Sequence, residues 1–253
     1  MSKIKLLSAG VALGASLAMG NASATIIEVA GVTWDDASPF HFSTQQSLFE
    51  NNVSSVGDIL TFHGQIDKVN ASGGFCSGGG CEELTFKGSY KVLEVGDFDG
   101  NGQQDVIFGD GILNVYSDTS ADFDPLDSSK SIDGTLFAQL MGHTQTVNGR
   151  SGDLFATLDS GVVLRDSRDS GSGFGAWDIV GGAAFAELNF NTGSSGADLD
   201  YTTSFQPVPG VPDGSLLFGT AELRGRQVPE PSILALLGIG LLGFGTTRRK
   251  SVS

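Results

Sequence analysis

The stretch that most restricts the fold is residues 59–69, ILTFHGQIDKV, in which apolar and polar side chains alternate. In an extended chain, Leu60, Phe62 and Ile66 fall on one side, together with Gly64, and face away from a mostly polar side. A hydrophobic period of two residues predicts a β-strand with one buried face. The sequence therefore contains at least one long strand that must pack its apolar side against other structure.

Shorter runs of the same kind recur along the chain. Gly-Asp-Gly at residues 109–111 predicts a tight hairpin, and Asp-Ser-Gly at 159–161 predicts a second one joining strands at 154–158 and 162–164. Glycine is abundant, with 37 residues, and no stretch between the two termini has the period of an amphipathic helix. We therefore predict an all-β fold, a single β-sandwich of which a jelly roll is one form. The remaining predicted strands lie at residues 25–34, 84–95, 106–117, 135–143, 177–190, 199–205 and 215–223.

The last two dozen residues form a separate unit. Pro229, Glu230 and Pro231 precede the uncharged stretch 232–247, SILALLGIGLLGFGTT, and a basic cluster follows, made of Arg248, Arg249 and Lys250. As a helix the stretch spans about 24 Å, close to the ~30 Å of a bilayer core. The basic cluster is expected to stay on the cytoplasmic side, which places the rest of the chain outside. An ordinary membrane anchor and a buried helix with a basic end are the alternatives.

This order of motif, short apolar helix and basic end resembles the tripartite tail of PEP-CTERM proteins of Gram-negative bacteria. The resemblance covers residues 228–253 and implies that an inner-membrane exosortase removes the tail near the motif. It also implies transient insertion in the inner membrane and delivery to the cell surface or the extracellular polysaccharide matrix, with exopolysaccharide as a partner. It implies nothing about the chemistry of the body.

The N-terminus predicts export as well. Lys3 and Lys5 precede or flank an apolar run, and Ala22 and Ala24 form the small-x-small pattern that signal peptidase accepts. We therefore divide the chain into a signal peptide at 1–24, one secreted domain at 25–227 and the sorting tail at 228–253. About 200 residues suit a single domain with a sizeable core.

The secreted domain is strongly acidic. Residues 25–227 contain 9 of the Lys and Arg residues against 28 of the Asp and Glu residues, a net charge of −19. Such a charge disfavours nucleic acid and anionic lipid surfaces as partners. It is compatible with binding divalent cations, and equally with a solvated acidic surface that binds nothing.

Two cysteines, Cys76 and Cys81, lie in a glycine-rich loop. An even number of closely spaced cysteines in an exported chain predicts a disulfide. Two thiols alone do not fill a zinc site, and the spacing is not the C-x-x-C of redox enzymes.

The stretch GDFDGNGQQD at residues 96–105 is the strongest candidate for a ligand site. Side-chain oxygens recur at loop positions 1, 3, 5 and 9, Gly102 permits a sharp turn at position 6, and position 7 offers a backbone carbonyl. Calcium requires such a cluster of oxygens at about 2.3–2.6 Å. We predict calcium as the ligand, with an ion-free Asp/Gly turn as the alternative. The predicted ligands are Asp97, Asp99, Asn101, Gln103 and Asp105.

This loop departs from an EF-hand, because Phe108 stands at position 12 in place of glutamate and the flanks are predicted strands. Residues 96–110 resemble a single calcium loop of the FG-GAP type, a family in which many copies build a propeller. A second acidic run at 118–127 could bind an ion, but an exposed loop is the expected structure. Its acids are Asp118, Asp122, Asp124 and Asp127.

Catalysis has little support in the sequence. The histidines, His41, His63 and His143, are far apart, and no nucleophile elbow, zincin or Walker motif is present. We therefore expect a non-catalytic surface or matrix protein with a structural or adhesive role. The alternative is a secreted carbohydrate-binding protein or polysaccharide-active hydrolase. A groove combining paired carboxylates with Trp34 or Trp177 would favour that alternative.

Overall fold

The computed structural model describes residues 25–36, 38–77, 79–164, 168–209 and 216–225. The predicted signal peptide with Ala22 and Ala24 lies outside these ranges, and so do the 229–231 motif, the apolar stretch 232–247 and the basic cluster. Within the described ranges, no helix has the length and apolar character needed to cross a membrane.

Strands make up most of the described chain, and the helices found there are single turns at Ser128–Ser131, Phe185–Leu188 and Ser194–Gly196. The all-β prediction is therefore confirmed. The strands of the described part are β1 (Ile26–Val29), β2 (Val32–Asp35), β3 (Thr44–Glu50), β4 (Ile59–Val69), β5 (Glu83–Gly96), β6 (Gln104–Asp118), β7 (Thr135–Gly142), β8 (Gln145–Val147), β9 (Arg150–Gly152), β10 (Leu154–Leu158), β11 (Gly171–Gly181), β12 (Leu199–Pro207) and β13 (Leu217–Arg224).

Nine of these strands form one antiparallel sheet that closes on itself, here called the closed sheet. Strands β3 to β6 follow one another in sequence order, and β11 to β13 complete the circuit because β13 pairs with β3. Strands β7 and β10 lie end to end in one place between β6 and β11. The sandwich expected from the sequence thus takes the form of a barrel-like closed sheet, whose opposite walls pack across one interior.

Strand β6 is the longest, because it pairs with β7 along one part and with β10 along the other. The hairpin predicted at residues 109–111 is wrong, since β6 runs through them. The structure has a bulge there instead: Asp110 has a φ of 53°, and the register with β5 shifts between Ser89 and Lys91. Gly111 at this bulge leaves room for the Tyr90 ring, because a Cβ would lie 2.6 Å from Tyr90 Cε1.

The alternation of residues 59–69 is confirmed, with Leu60, Phe62 and Ile66 buried inside the closed sheet. Glycines on neighbouring strands make space for the large rings. Gly88 lies opposite Phe62 in the register, and a Cβ added to it would lie 2.4 Å from Phe62 Cζ. This pairing of a ring with a glycine lets a narrow interior accommodate phenylalanine.

The β1–β2 hairpin packs over one end of the closed sheet, where β3 begins. Trp34 of β2 makes an edge contact with Phe42 at 5.4 Å between ring centroids, and a second with Phe137 at 6.3 Å. The Thr33 amide donates to the carbonyl of Phe75 at 2.7 Å, which joins the hairpin to the cysteine loop.

The opposite end is covered by residues 162–164, here called the plug. The strand predicted there is wrong, because β10 pairs with β11, beginning at Gly171 beyond the plug. The plug is instead fastened through the Asn52 side chain, which donates to the Leu164 carbonyl at 2.8 Å and accepts from the Leu164 amide at 3.3 Å. Leu164 is fully buried as a result.

Candidate functional site

The hairpin turn between β5 and β6 brings three of the predicted calcium ligands together. Gly96 and Asp105 are paired across the two strands, so the intervening loop folds back on itself. Carboxylate oxygens of Asp97, Asp99 and Asp105 all lie within 4.8 Å of one another. A single cation at 2.3–2.6 Å from each oxygen is compatible with such separations.

Backbone donors hold these carboxylates in place. The two oxygens of Asp97 accept from the amides of Gly100 at 2.8 Å and Gly102 at 3.0 Å. Both glycines have positive φ, 74° and 86°, so the sharp turn predicted at Gly102 is present. The Asp105 carboxylate accepts from the Phe98 amide at 3.0 Å and from the Thr157 hydroxyl at 2.9 Å. Each oxygen has a second lone pair that a cation can use.

The other two predicted ligands contact each other. Asn101 Oδ1 accepts from the Gln103 amide at 2.7 Å, and Asn101 Nδ2 donates to Gln103 Oε1 at 3.2 Å and to Asp99 at 2.9 Å. The three carboxylates therefore carry the charge of this loop, while Asn101 and Gln103 stabilise its turn through hydrogen bonds. This set of hard oxygens fits a divalent cation such as calcium.

A second acidic group joins Asp118 and Asp122 of the predicted acidic run to Glu83, which the sequence analysis did not single out. The register of β5 and β6 places Glu83 opposite Asp118, and carboxylate oxygens of these two residues and of Asp122 lie within 4.8 Å of one another. Burial raises the pKa of Glu83, although amide donors from Asp122 and Phe123 oppose the shift. Lys130 pairs with Asp122, so this group already contains a cation.

The predicted acidic run at 118–127 is thus divided between two places. Asp118 is buried, in contrast to the exposed loop that was expected, because it ends β6 opposite β5. Asp124 and Asp127 belong to a separate turn, in which the Asp127 amide donates to the Asp124 carbonyl at 3.0 Å.

Cys76 and Cys81 form the predicted disulfide, with their Cα atoms 4.9 Å apart. Cys76 also forms a β-bridge with Val32, and Cys81 is buried. The disulfide therefore closes the loop against the β1–β2 hairpin.

The histidines and tryptophans occupy separate environments. His63 Nε2 lies 3.0 Å from the Pro125 carbonyl, and burial lowers its pKa. His143 Nδ1 contacts the Asp178 carboxylate at 2.9 Å, whereas His41 makes an edge contact with the Phe190 ring. Trp34 and Trp177 are 3% and 0% exposed. Neither tryptophan can stack on a sugar from outside.

Sequence reasoning missed Glu50, the most perturbed acid of the closed sheet. It is 6% exposed, and burial raises its pKa from 4.5 to about 8. The signal was present in β3, TQQSLFE, where alternate residues are buried. Because Leu48 faces inward, Glu50 two positions later must do so as well.

Comparison with known proteins identifies the tail. Residues 227–250 match the family model described as the PEP-CTERM protein-sorting motif. No curated protein and no solved structure matches the chain. The motif confirms the predicted sorting tail and marks an exported protein that is anchored in the membrane before exosortase processes it.

Proposed function

We propose that the chain is a surface or matrix protein of a Gram-negative bacterium, released by exosortase, whose all-β domain has a structural or adhesive, non-catalytic role. The observation that carries the proposal is the sorting motif at residues 227–250. The domain that remains after processing is strongly acidic and closed by a continuous sheet, which suits a soluble module outside the cell. Signal peptidase and exosortase are its processing partners, and exopolysaccharide is its partner in the matrix.

The alternative of a polysaccharide-binding or polysaccharide-cleaving protein cannot use the two tryptophans, since both are buried. Incubating the secreted protein with the polysaccharide of its native host separates the structural or adhesive role from a polysaccharide-cleaving one. We expect binding or co-sedimentation without release of reducing sugar. Release of reducing sugar would replace the structural role with an enzymatic one.

The sorting step is tested by changing the motif. We expect Glu230→Ala combined with Pro231→Ala to leave the tail attached and the protein in the inner-membrane fraction, because the motif marks the region that exosortase recognises. Ser251→Ala, at the other end of the tail, is the control and should be released normally. Normal release of the double variant would contradict exosortase processing.

We further propose that the loop at 97–105 binds calcium and stabilises the hairpin of β5 and β6. Support comes from the three carboxylates, which lie close together with their negative charges facing one another. A cation removes that repulsion, and binding to the folded state alone raises stability by mass action. The absence of a glutamate at position 12 predicts modest affinity, about 10⁻⁴ to 10⁻³ M as in extracellular modules.

Thermal unfolding of the secreted protein with and without EDTA tests this site. We expect EDTA to lower the melting temperature of the wild type, and Asp99→Ala to remove that response. Asp124→Ala, in the separate acidic turn, is the matched control and should keep it. A melting temperature that EDTA leaves unchanged in the wild type would exclude a stabilising metal.

A further inference from the structure

A small cavity lies inside the closed sheet at the plugged end, with a volume of about 30 Å³. Most of its lining is apolar, including Phe62, Phe108 and Leu217. The polar exceptions include Glu50 and Tyr90. The cavity is therefore an apolar chamber with a polar group at one side.

Two of these polar groups lack the partners that burial normally demands. Glu50 is 6% exposed, and within the described chain no residue donates a hydrogen bond to its carboxyl. Tyr90 is 1% exposed, and its hydroxyl has no partner there either. Burying a carboxyl and a hydroxyl without partners costs stability, so either water or the hydroxyl of a ligand is expected to satisfy them.

The chemistry of the lining restricts that molecule. Because burial raises the pKa of Glu50 to about 8, the carboxyl is protonated near pH 7 and can both donate and accept. The hydroxyl of Tyr90 supplies a further donor. An anionic ligand group would meet no positive charge among the lining residues, and its desolvation would oppose binding.

The plug sets the size of the space. Val162 and Leu164 both line the cavity, so the plug bounds it on one side. Two hydrogen bonds to the Asn52 side chain hold Leu164 in this position. With the plug in place, the remaining volume suits one or two water molecules.

We propose that this end of the closed sheet is a binding site for a small neutral molecule with a hydroxyl head and an apolar body. The head takes the place of water beside Glu50 and Tyr90. The body takes the space of Val162 and Leu164 when the plug withdraws. Interiors of closed antiparallel sheets with about eight strand positions are wide enough for one such ligand. This site is independent of the sorting tail and of the calcium loop.

Titration of the secreted protein with 1-hexanol at pH 7 tests the proposal, followed by NMR. We expect saturable binding and intermolecular NOEs between the alkyl chain and the side chains of Phe108 and Leu217, which line the cavity. Hexanoate, which has the same body with an anionic head, should bind at least about tenfold more weakly, because no positive charge lines the cavity.

Three variants separate the roles of head and plug. Glu50→Leu should weaken 1-hexanol binding at least about tenfold, whereas Glu50→Gln, which keeps a neutral donor and acceptor, should retain it. Asn52→Ala should tighten binding severalfold, because it frees the plug. Glu82→Leu, which replaces an exposed glutamate, is the control and should bind like the wild type.

Two results would overturn the proposal. Absence of saturable 1-hexanol binding in both the wild type and Asn52→Ala would show that the cavity holds water only. Equal affinity in the wild type and Glu50→Leu would place the alcohol at another site.

Discussion

Glu50 shows how a single buried acid makes stability depend on pH. Between pH 4.5 and about 8 the folded chain keeps the Glu50 proton, whereas the unfolded chain loses it. The unfolded state then binds fewer protons than the folded state, so this residue makes stability fall as pH rises. Its favourable contribution is complete below pH 4.5 and is lost as the pH approaches 8.

We therefore predict that the free energy of unfolding of the wild type falls relative to that of Glu50→Gln by about 1.4 kcal/mol per pH unit between pH 5 and 7.5. Urea denaturation of both proteins across that range measures the difference, in which the other titrating groups cancel. Parallel pH profiles for the two proteins would show that Glu50 is not buried as an acid.

A further prediction concerns Gly88, which lies opposite Phe62, and it depends on side-chain packing rather than on charge. Gly88→Ala should lower the free energy of unfolding by about 1–3 kcal/mol, because the new methyl group overlaps the Phe62 ring. Gly73→Ala is the control: the nearest atom to its Cβ is 3.8 Å away, and a change within about 0.5 kcal/mol is expected. Equal effects in urea denaturation would contradict the packing of Phe62.

At the scale of elements, the cysteine loop supports the hairpin that covers one end of the closed sheet. Replacing both Cys76 and Cys81 by serine should cost about 2 kcal/mol, since the loop that the disulfide closes is short. The loss should appear first around Trp34, because β2 bonds directly to this loop. Amide hydrogen exchange of the wild type and the double variant tests this. Unchanged protection in β1 and β2 would contradict the coupling.

The local sequence pattern predicted which side of a strand is buried better than it predicted where hairpins join two strands. The alternation of residues 59–69 identified the inward side of β4 correctly, because a period of two follows from strand geometry alone. The turn signals at 109–111 and 159–161 misled, since glycine and aspartate favour bulges and loops as much as hairpins. At 109–111 β5 continues past the signal, whereas on the other side of β6 the pairing changes from β10 to β7. Residues 162–164 do not pair as a strand, because they form the plug, in which Leu164 is buried at the end of the closed sheet.

The candidate sites also differ in how far the sequence alone predicts them. The cluster of carboxylates at 97–105 was predictable because its residues are close in sequence and its turn is local. The meeting of Glu83 with Asp118 and the unpartnered position of Glu50 were not, because each depends on strand register or closure. Pairing between residues far apart leaves no local trace in a single sequence.

At the scale of the whole molecule, closure of the sheet is the feature that the sequence left open. It depends on β13 pairing with β3 across most of the chain length, from Leu217 with Glu50 to Ala221 with Gln46. A sandwich and a closed sheet require the same alternation, so composition and period cannot distinguish them. Closure removes exposed strand edges, which would otherwise offer sites for pairing with other chains.

The proposed function requires that the acidic domain is separated from both ends of the chain during export. Intact-mass spectrometry of the endogenous protein, recovered from the surface and matrix fraction of its native host, tests this most directly. The predicted product begins near Thr25, ends near the Pro229–Glu230–Pro231 motif and retains the bridge between Cys76 and Cys81. Recovery of the protein at full length from the cytosol, with Met1 and Ser253 both present, would contradict it.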